Sequence, residues 1–134
     1  MEKFKYKITQ FYVSVNINKR GEKMTGRLIL LNAFPVNAFE YQKFEARFEK
    51  SNFTDMKFSE LRCSDIRCYI RHPATLQLIN SKLRTNLQPS SGLYQFQRGD
   101  EIYVVTLKAP ERGKEMTAVT ENDIEIWKVS VKVI

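Results

Sequence analysis

Histidine is nearly absent from this 134-residue chain: it occurs once, as His72. Cysteine is almost as scarce, with only Cys63 and Cys68. Three such residues fall short of the four Cys/His ligands of a usual structural zinc site, and they offer no ligand set for a catalytic metal, so none is expected. The cysteines are five positions apart, which on a strand points them to opposite faces. They read as small buried hydrophobes in a reducing compartment. Long apolar runs are missing too. The longest are short, such as residues 28–31, so no segment is expected to span a bilayer. The first residues, MEKFKYKITQ, hold no apolar signal core and no small-residue cleavage site. A cytoplasmic protein is expected, with no membrane partner. Repeats and low-complexity segments are absent.

What is present is globular. Apolar residues make up 43% and aromatics 12%, too much for a disordered chain. The length suits one domain with a modest core. The net charge is +7, which favours an anionic partner. The charge is uneven: residues 1–23 carry six Lys/Arg against two Glu, and residues 61–88 carry five against one Asp. Basic surface alone is also what a solvated face looks like.

Residues 4–17 alternate apolar and polar, with one slip of parity near Gln10 that marks a bulge or bend. A glycine-containing turn follows, and then the buried-strand run GRLILLNA, so residues 4–33 are compatible with a hairpin. Alternatively, a core domain begins near Met24 and the preceding residues are an added strand. YQKFEARFEK alternates as a strand. Thr54 and Asp55 with the spacing of Met56, Phe58 and Leu61 predict a short helix over 54–62. SDIRCYI is the next strand. Pro73 fits a first helical turn, and Leu76, Ile79 and Leu83 form a stripe, which predicts a helix over 73–84. LYQFQ, the turn RGDE and IYVVTLK read as a hairpin. APERGKEMTAVTEND, residues 109–123, reads as a polar loop too long for a simple turn and of the kind that forms lids, and IEIWKVSVKVI as a last strand. The elements add up to an α+β fold: a mixed, mainly antiparallel sheet flanked by two or three helices, with an extra N-terminal strand or hairpin. The chain is read as a single domain over 1–134, with 1–25 as an N-terminal extension and 26–134 as the core.

His72 falls at the start of that second helix. A helix N-terminus presents free N–H groups and a partial positive charge, which suits phosphate. The helix dipole disfavours an imidazolium there, while a bound phosphate favours it. The opposition can hold the group near its switching range, as a general acid requires. Arg71 and Thr75 add candidate phosphate contacts. The plainer reading is a boundary residue before a helix-starting proline.

The order LILLNAF, a Glu- and Phe-rich strand, a short helix, an apolar strand, RHPATLQLINSKL and QRGDEIYVVTLK resembles one family over about residues 26–125. This is the ring nucleases that include the type III anti-CRISPR proteins of archaeal viruses and their bacterial relatives. In that family a loop follows with a basic residue and a glutamate three positions on, matched here by Lys108 and Glu111, with Arg112 next to it. The resemblance implies metal-independent cleavage of cyclic oligoadenylate, chiefly cyclic tetra-adenylate, without a cofactor, by a homodimer holding the ring across its two-fold interface. Such an activity switches off type III CRISPR signalling. It implies His72 as general acid to the leaving 5′-oxygen, Lys108 as counter-charge to the scissile phosphate, and Glu111 as the group that orients or deprotonates the 2′-OH. Asn32 and Ala33 would hold the ring together with Arg71, Thr75 and Arg112. Two positions depart from the pattern. Pro35 stands where active members often carry serine, and Lys108 where the family usually has arginine, which alone can clamp a phosphate bidentately. Both departures bear on rate more than on binding. Two other functions compete: a non-catalytic protein that sequesters the cyclic nucleotide, and a basic RNA- or DNA-binding protein using the extension with Tyr6, Phe11 and Tyr12.

Overall fold

The computed structural model describes residues 26–41, 43–108 and 118–134. Five strands and two helices follow one another as β1 (Arg27–Leu31), β2 (Phe44–Lys50), α1 (Phe53–Arg62), β3 (Asp65–Cys68), α2 (Pro73–Leu83), β4 (Glu101–Leu107) and β5 (Ile124–Val133). Short 3-10 turns at Val36–Ala38 and Glu121–Asp123 complete the set. The strands make one sheet in the order β2-β5-β4-β1-β3. β1 runs parallel to β3 and to β4, whereas β5 runs antiparallel to β4 and to β2. The α+β expectation holds, with a mixed sheet of two parallel and two antiparallel pairings. Four strands point one way and only β5 points back.

β1 explains its own place. RLILL is apolar at four successive positions, which suits a strand buried on both faces. Leu28 and Leu30 enter one core cluster, and Ile29 and Leu31 enter the other. β4 does the same with Tyr103 and Val105 against Ile102 and Val104. On the first face the sheet meets Met56 of α1 and Ala74, Leu76, Ile79 and Leu83 of α2. Among the described residues the opposite face carries no α-helix. Aromatic side chains of irregular segments cover it, with the Phe39 ring stacked on Phe34, Phe44 and Phe96 at centroid distances of 5.1, 4.7 and 4.8 Å.

The helices begin where polar caps permit. Asn52 accepts from the Asp55 N–H at 2.8 Å and starts α1 one residue ahead of the expected position. α2 starts at Pro73 as expected and stops at Leu83, because Arg84 takes the left-handed conformation with φ 59°.

One strand expectation is corrected. LYQFQ is not a strand partner of β4, since β1 and β5 already occupy both edges of β4. Its alternation instead buries Tyr94 and packs Phe96 into the aromatic layer, with the Phe96 N–H donating to the Ala38 carbonyl at 3.0 Å. The alternating residues 4–17 with the expected N-terminal strand or hairpin, the rest of the extension, and residues 109–117 of the polar loop lie outside the described residues.

At the amino ends of β1 and β4 the chain is tied together. The Arg27 guanidinium donates to both Asp100 oxygens at 2.9 and 2.8 Å, and to the Gln95 carbonyl at 2.9 Å. The Tyr94 hydroxyl donates to the same carboxylate at 2.6 Å, and the Gln97 N–H at 3.0 Å. The Asp100 side chain is 1% exposed. The hydrogen bonds that Arg27 donates to Asp100 push its pKa up from the ordinary value. Burial, followed by the bond to Asp100, pushes the Tyr94 hydroxyl well up. Gly99, at φ 93°, makes the turn that delivers Asp100.

Candidate functional site at the carboxyl edge of the sheet

Because β1, β3 and β4 are parallel, their carboxyl ends emerge at one edge. Ligands of open sheets with parallel strands gather at that edge. Asn32 and Ala33 leave β1 there, both exposed. The Tyr69 N–H donates to the Leu30 carbonyl at 2.8 Å and carries the β1–β3 pairing one step further, up to Ile70, Arg71 and His72. Lys108 follows β4 directly. Its N–H donates to the Asp123 carbonyl at 2.8 Å, which pins the start of the following loop to the start of β5.

His72 is the cap of α2. Its backbone is extended (φ −69°, ψ 116°), its carbonyl accepts from the Leu76 N–H at 3.0 Å, and Pro73 fills the first helical position. Its Nδ1 accepts from the Thr75 N–H at 3.3 Å and lies 2.9 Å from Thr75 Oγ1. The ring is half-buried and Thr75 is fully buried, so the Thr75 hydroxyl faces the imidazole rather than the solvent. Arg71 is exposed, and it donates to the Ser90 carbonyl at 2.7 Å. That bond braces the loop after α2 and leaves other N–H groups of the guanidinium for a ligand.

The chain thus brings Asn32, Ala33, Arg71, His72 and Thr75 to the ends of adjacent strands. It sets Lys108 apart. β4 and β3 flank β1, so the strand ends that lead to Lys108 and to His72 stand two strand spacings, about 10 Å, apart. Lys108 lines a cleft of about 310 Å³ with Lys50, Ser51, Asn52, Phe53 and Glu121, and His72 is not part of it. Glu121 is paired with Lys82 at 3.1 Å, and Lys50 with Glu125 at 3.5 Å. Lys108 remains the cation of the cleft with no ion pair among the described residues. The start of α1 as a wall of this cleft was missed in the sequence, where Thr54 and Asp55 announced a helix but neither its Asn52 cap nor what it would face. Asp123 sits beside Lys108. Hydrogen bonds from the Thr120 N–H and hydroxyl hold its carboxyl below the usual carboxylate range, with a smaller contribution from Lys108. Glu111 and Arg112 lie outside the described residues.

Cys63 and Cys68 are buried and neither is in a disulfide, and burial pushes the Cys68 thiol up, away from a reactive thiolate. Among the described residues no helix is long and apolar enough to cross a membrane.

Comparison with known proteins fits this geometry. No curated protein matches the chain. Among solved structures, B116 of Sulfolobus turreted icosahedral virus superposes with a TM-score of 0.60 at 23% identity, over 78% of this chain and 98% of that one. At that identity the likeness speaks for the fold. The family model described as STIV B116-like matches residues 28–131, from β1 into β5. A match of that span takes in every described strand and both helices, and the chain belongs to the STIV B116-like family.

Proposed function

We propose that this chain is a metal-independent ring nuclease that cleaves cyclic tetra-adenylate and thereby switches off type III CRISPR signalling. The observation that carries the proposal is the setting of His72. The sole histidine caps a helix at the carboxyl edge of parallel strands, its Nδ1 is engaged by Thr75, and Nε2 is left for a ligand. A family that takes its name from a viral protein suits a role in host–virus conflict.

In the proposed reaction the ribose 2′-oxygen forms a bond to its adjacent phosphorus as the bond from phosphorus to the 5′-oxygen breaks. The 2′-OH proton leaves to Glu111 or solvent, and the 5′-oxygen takes a proton from Nε2 of a charged His72. The proton count balances, and a 2′,3′-cyclic phosphate remains on the product. General acid catalysis of this kind contributes on the order of 100- to 10,000-fold in rate. Lys108 supplies charge to the phosphate, and Asn32, Ala33 and Arg71 position the ring.

The separation of Lys108 from His72 supports a site completed across a two-fold axis. A ring of four identical nucleotides has such an axis, and a homodimer with an isologous interface shares it. The proposed setting is cytoplasmic. The same separation favours one second reading, a protein that binds the ring and holds it uncut. Chromatography of cyclic tetra-adenylate incubated with the pure protein tests both. Short linear products ending in a 2′,3′-cyclic phosphate are expected. An intact ring that stays bound to the protein selects sequestration, and an intact ring that does not bind overturns both.

A further inference from the structure

The His72 imidazole is held from one side by a single residue. Thr75 is the third residue of α2, and both its backbone N–H and its hydroxyl reach Nδ1, at 3.3 and 2.9 Å. It is 3% exposed, so its hydroxyl is spent inside the protein. A backbone N–H can only donate. In the neutral ring Nδ1 therefore offers its lone pair, and the proton sits on Nε2. In the charged ring both nitrogens carry protons, and the backbone N–H has nothing left to donate to. A hydroxyl both donates and accepts, so Oγ1 alone can keep hold of Nδ1 when it becomes Nδ1–H.

We propose that Thr75 is a positioning residue for His72: its hydroxyl holds Nδ1 in both protonation states and so keeps Nε2 as the nitrogen presented to the ligand. The consequence for turnover rests on the general-acid reading of His72, but the ring geometry stands without it. A general acid that has given up its Nε2 proton is left with the proton on Nδ1. The Thr75 hydroxyl accepts from that Nδ1–H before and after the transfer, so the ring need not turn within a cycle.

His72 is the sole histidine, so every imidazole signal in long-range proton–nitrogen spectra of the full chain belongs to it. The wild type at a pH where the ring is neutral is expected to show a protonated Nε2 and an unprotonated Nδ1. Thr75→Val keeps the side-chain shape and the backbone N–H but loses the hydroxyl. It is expected to leave the neutral ring protonated on Nε2, to shift the Nδ1–H signal of the charged ring, which has lost its acceptor, and to slow cleavage of cyclic tetra-adenylate on the order of 10- to 100-fold with binding of the ring within two-fold. Thr75→Ser is expected to restore the wild-type spectrum and most of the rate, which a purely structural role of the threonine methyl would not do. A wild-type neutral ring protonated on Nδ1, or a Thr75→Val ring indistinguishable from wild type through its titration, overturns the proposal. If the wild type leaves the cyclic nucleotide uncut, the general-acid reading falls, while the spectra still decide on Thr75.

Discussion

At the amino ends of β1 and β4, Arg27, Asp100, Tyr94 and Gln97 share one nearly closed hydrogen-bond network around a carboxylate that is 1% exposed. At the carboxyl ends of the same strands, Asn32, Ala33 and Lys108 are exposed, and no described residue forms a close ion pair with Lys108, Asp123 being its nearby counter-charge. The same parallel strands therefore have one end satisfied internally and one end open. Buried polar groups are costly unless paired, so the satisfied end sustains the fold. Unpaired donors at the open end are what an anionic ligand needs. His72 stands between the two styles: Nδ1 is satisfied from within, and no described residue hydrogen-bonds Nε2.

The sharpest way to break the comparison is Asp100→Ala, which leaves the Arg27 guanidinium and the Tyr94 hydroxyl without their shared acceptor. We expect a loss of about 3 kcal/mol in stability by urea unfolding, with ring turnover per folded molecule unchanged. A shift of a few tenths would show that the amino edge is not what holds the sheet.

The converse change is His72→Ala. Turnover is expected to fall on the order of 100- to 10,000-fold while ring binding stays within several-fold. Stability should drop by only about 1 kcal/mol, the usual worth of a helix cap. Wild-type turnover in this variant would remove the general acid.

A third test uses alkaline pH. Burial pushes the Tyr103 hydroxyl up to about 12, against an opposing hydrogen bond with Ser59. A raised tyrosine favours the folded state while the hydroxyl is protonated. That stability is fully present below about pH 10 and is lost as the pH rises through about 12. Tyr94 acts with the same sign. Urea unfolding at stepped pH should show stability falling over that window, by about 2–3 kcal/mol for Tyr103 alone. Tyr103→Phe should flatten the slope, and an unchanged slope would detach the effect from this residue.

The smallest expected effect is none at all. Chelation with EDTA should leave ring cleavage untouched, since the described residues gather no group of three or more His, Cys, Asp or Glu side chains that could hold a metal ion. Loss of activity on chelation, restored by a divalent cation, would put a metal at the open edge.

The sequence revealed the elements whose signal is local. The unbroken apolar run of β1, the alternation of β2 and the proline after His72 each announce a structure without reference to the rest of the chain. The failures are non-local. LYQFQ alternates as a strand does, but whether an alternating segment joins a sheet depends on whether an edge is vacant, and β1 and β5 had taken both edges of β4. The Arg27–Asp100 bond joins residues 73 positions apart and leaves no local trace. In the site, the position of His72 was legible because proline and helix periodicity fix it. Its grip by Thr75 is a matter of side-chain geometry. The cleft around Lys108 depends on the start of α1 folding back beside β4 and β5, which no spacing within either segment encodes.

The place of β5 in the sheet bears on how the protein is made. β2 pairs, among the described residues, with β5 alone, from Lys50 opposite Trp127 to Phe44 opposite Val133, a separation of 77 to 89 residues. During synthesis β2 therefore leaves the ribosome about 4–18 s before its partner at ordinary elongation speeds. Through that interval the nascent chain carries an unpaired, partly apolar strand with Phe44 and Phe48 uncovered. The ribosome-bound protein should attract chaperones until β5 slots between β2 and β4, and only then can the sheet close.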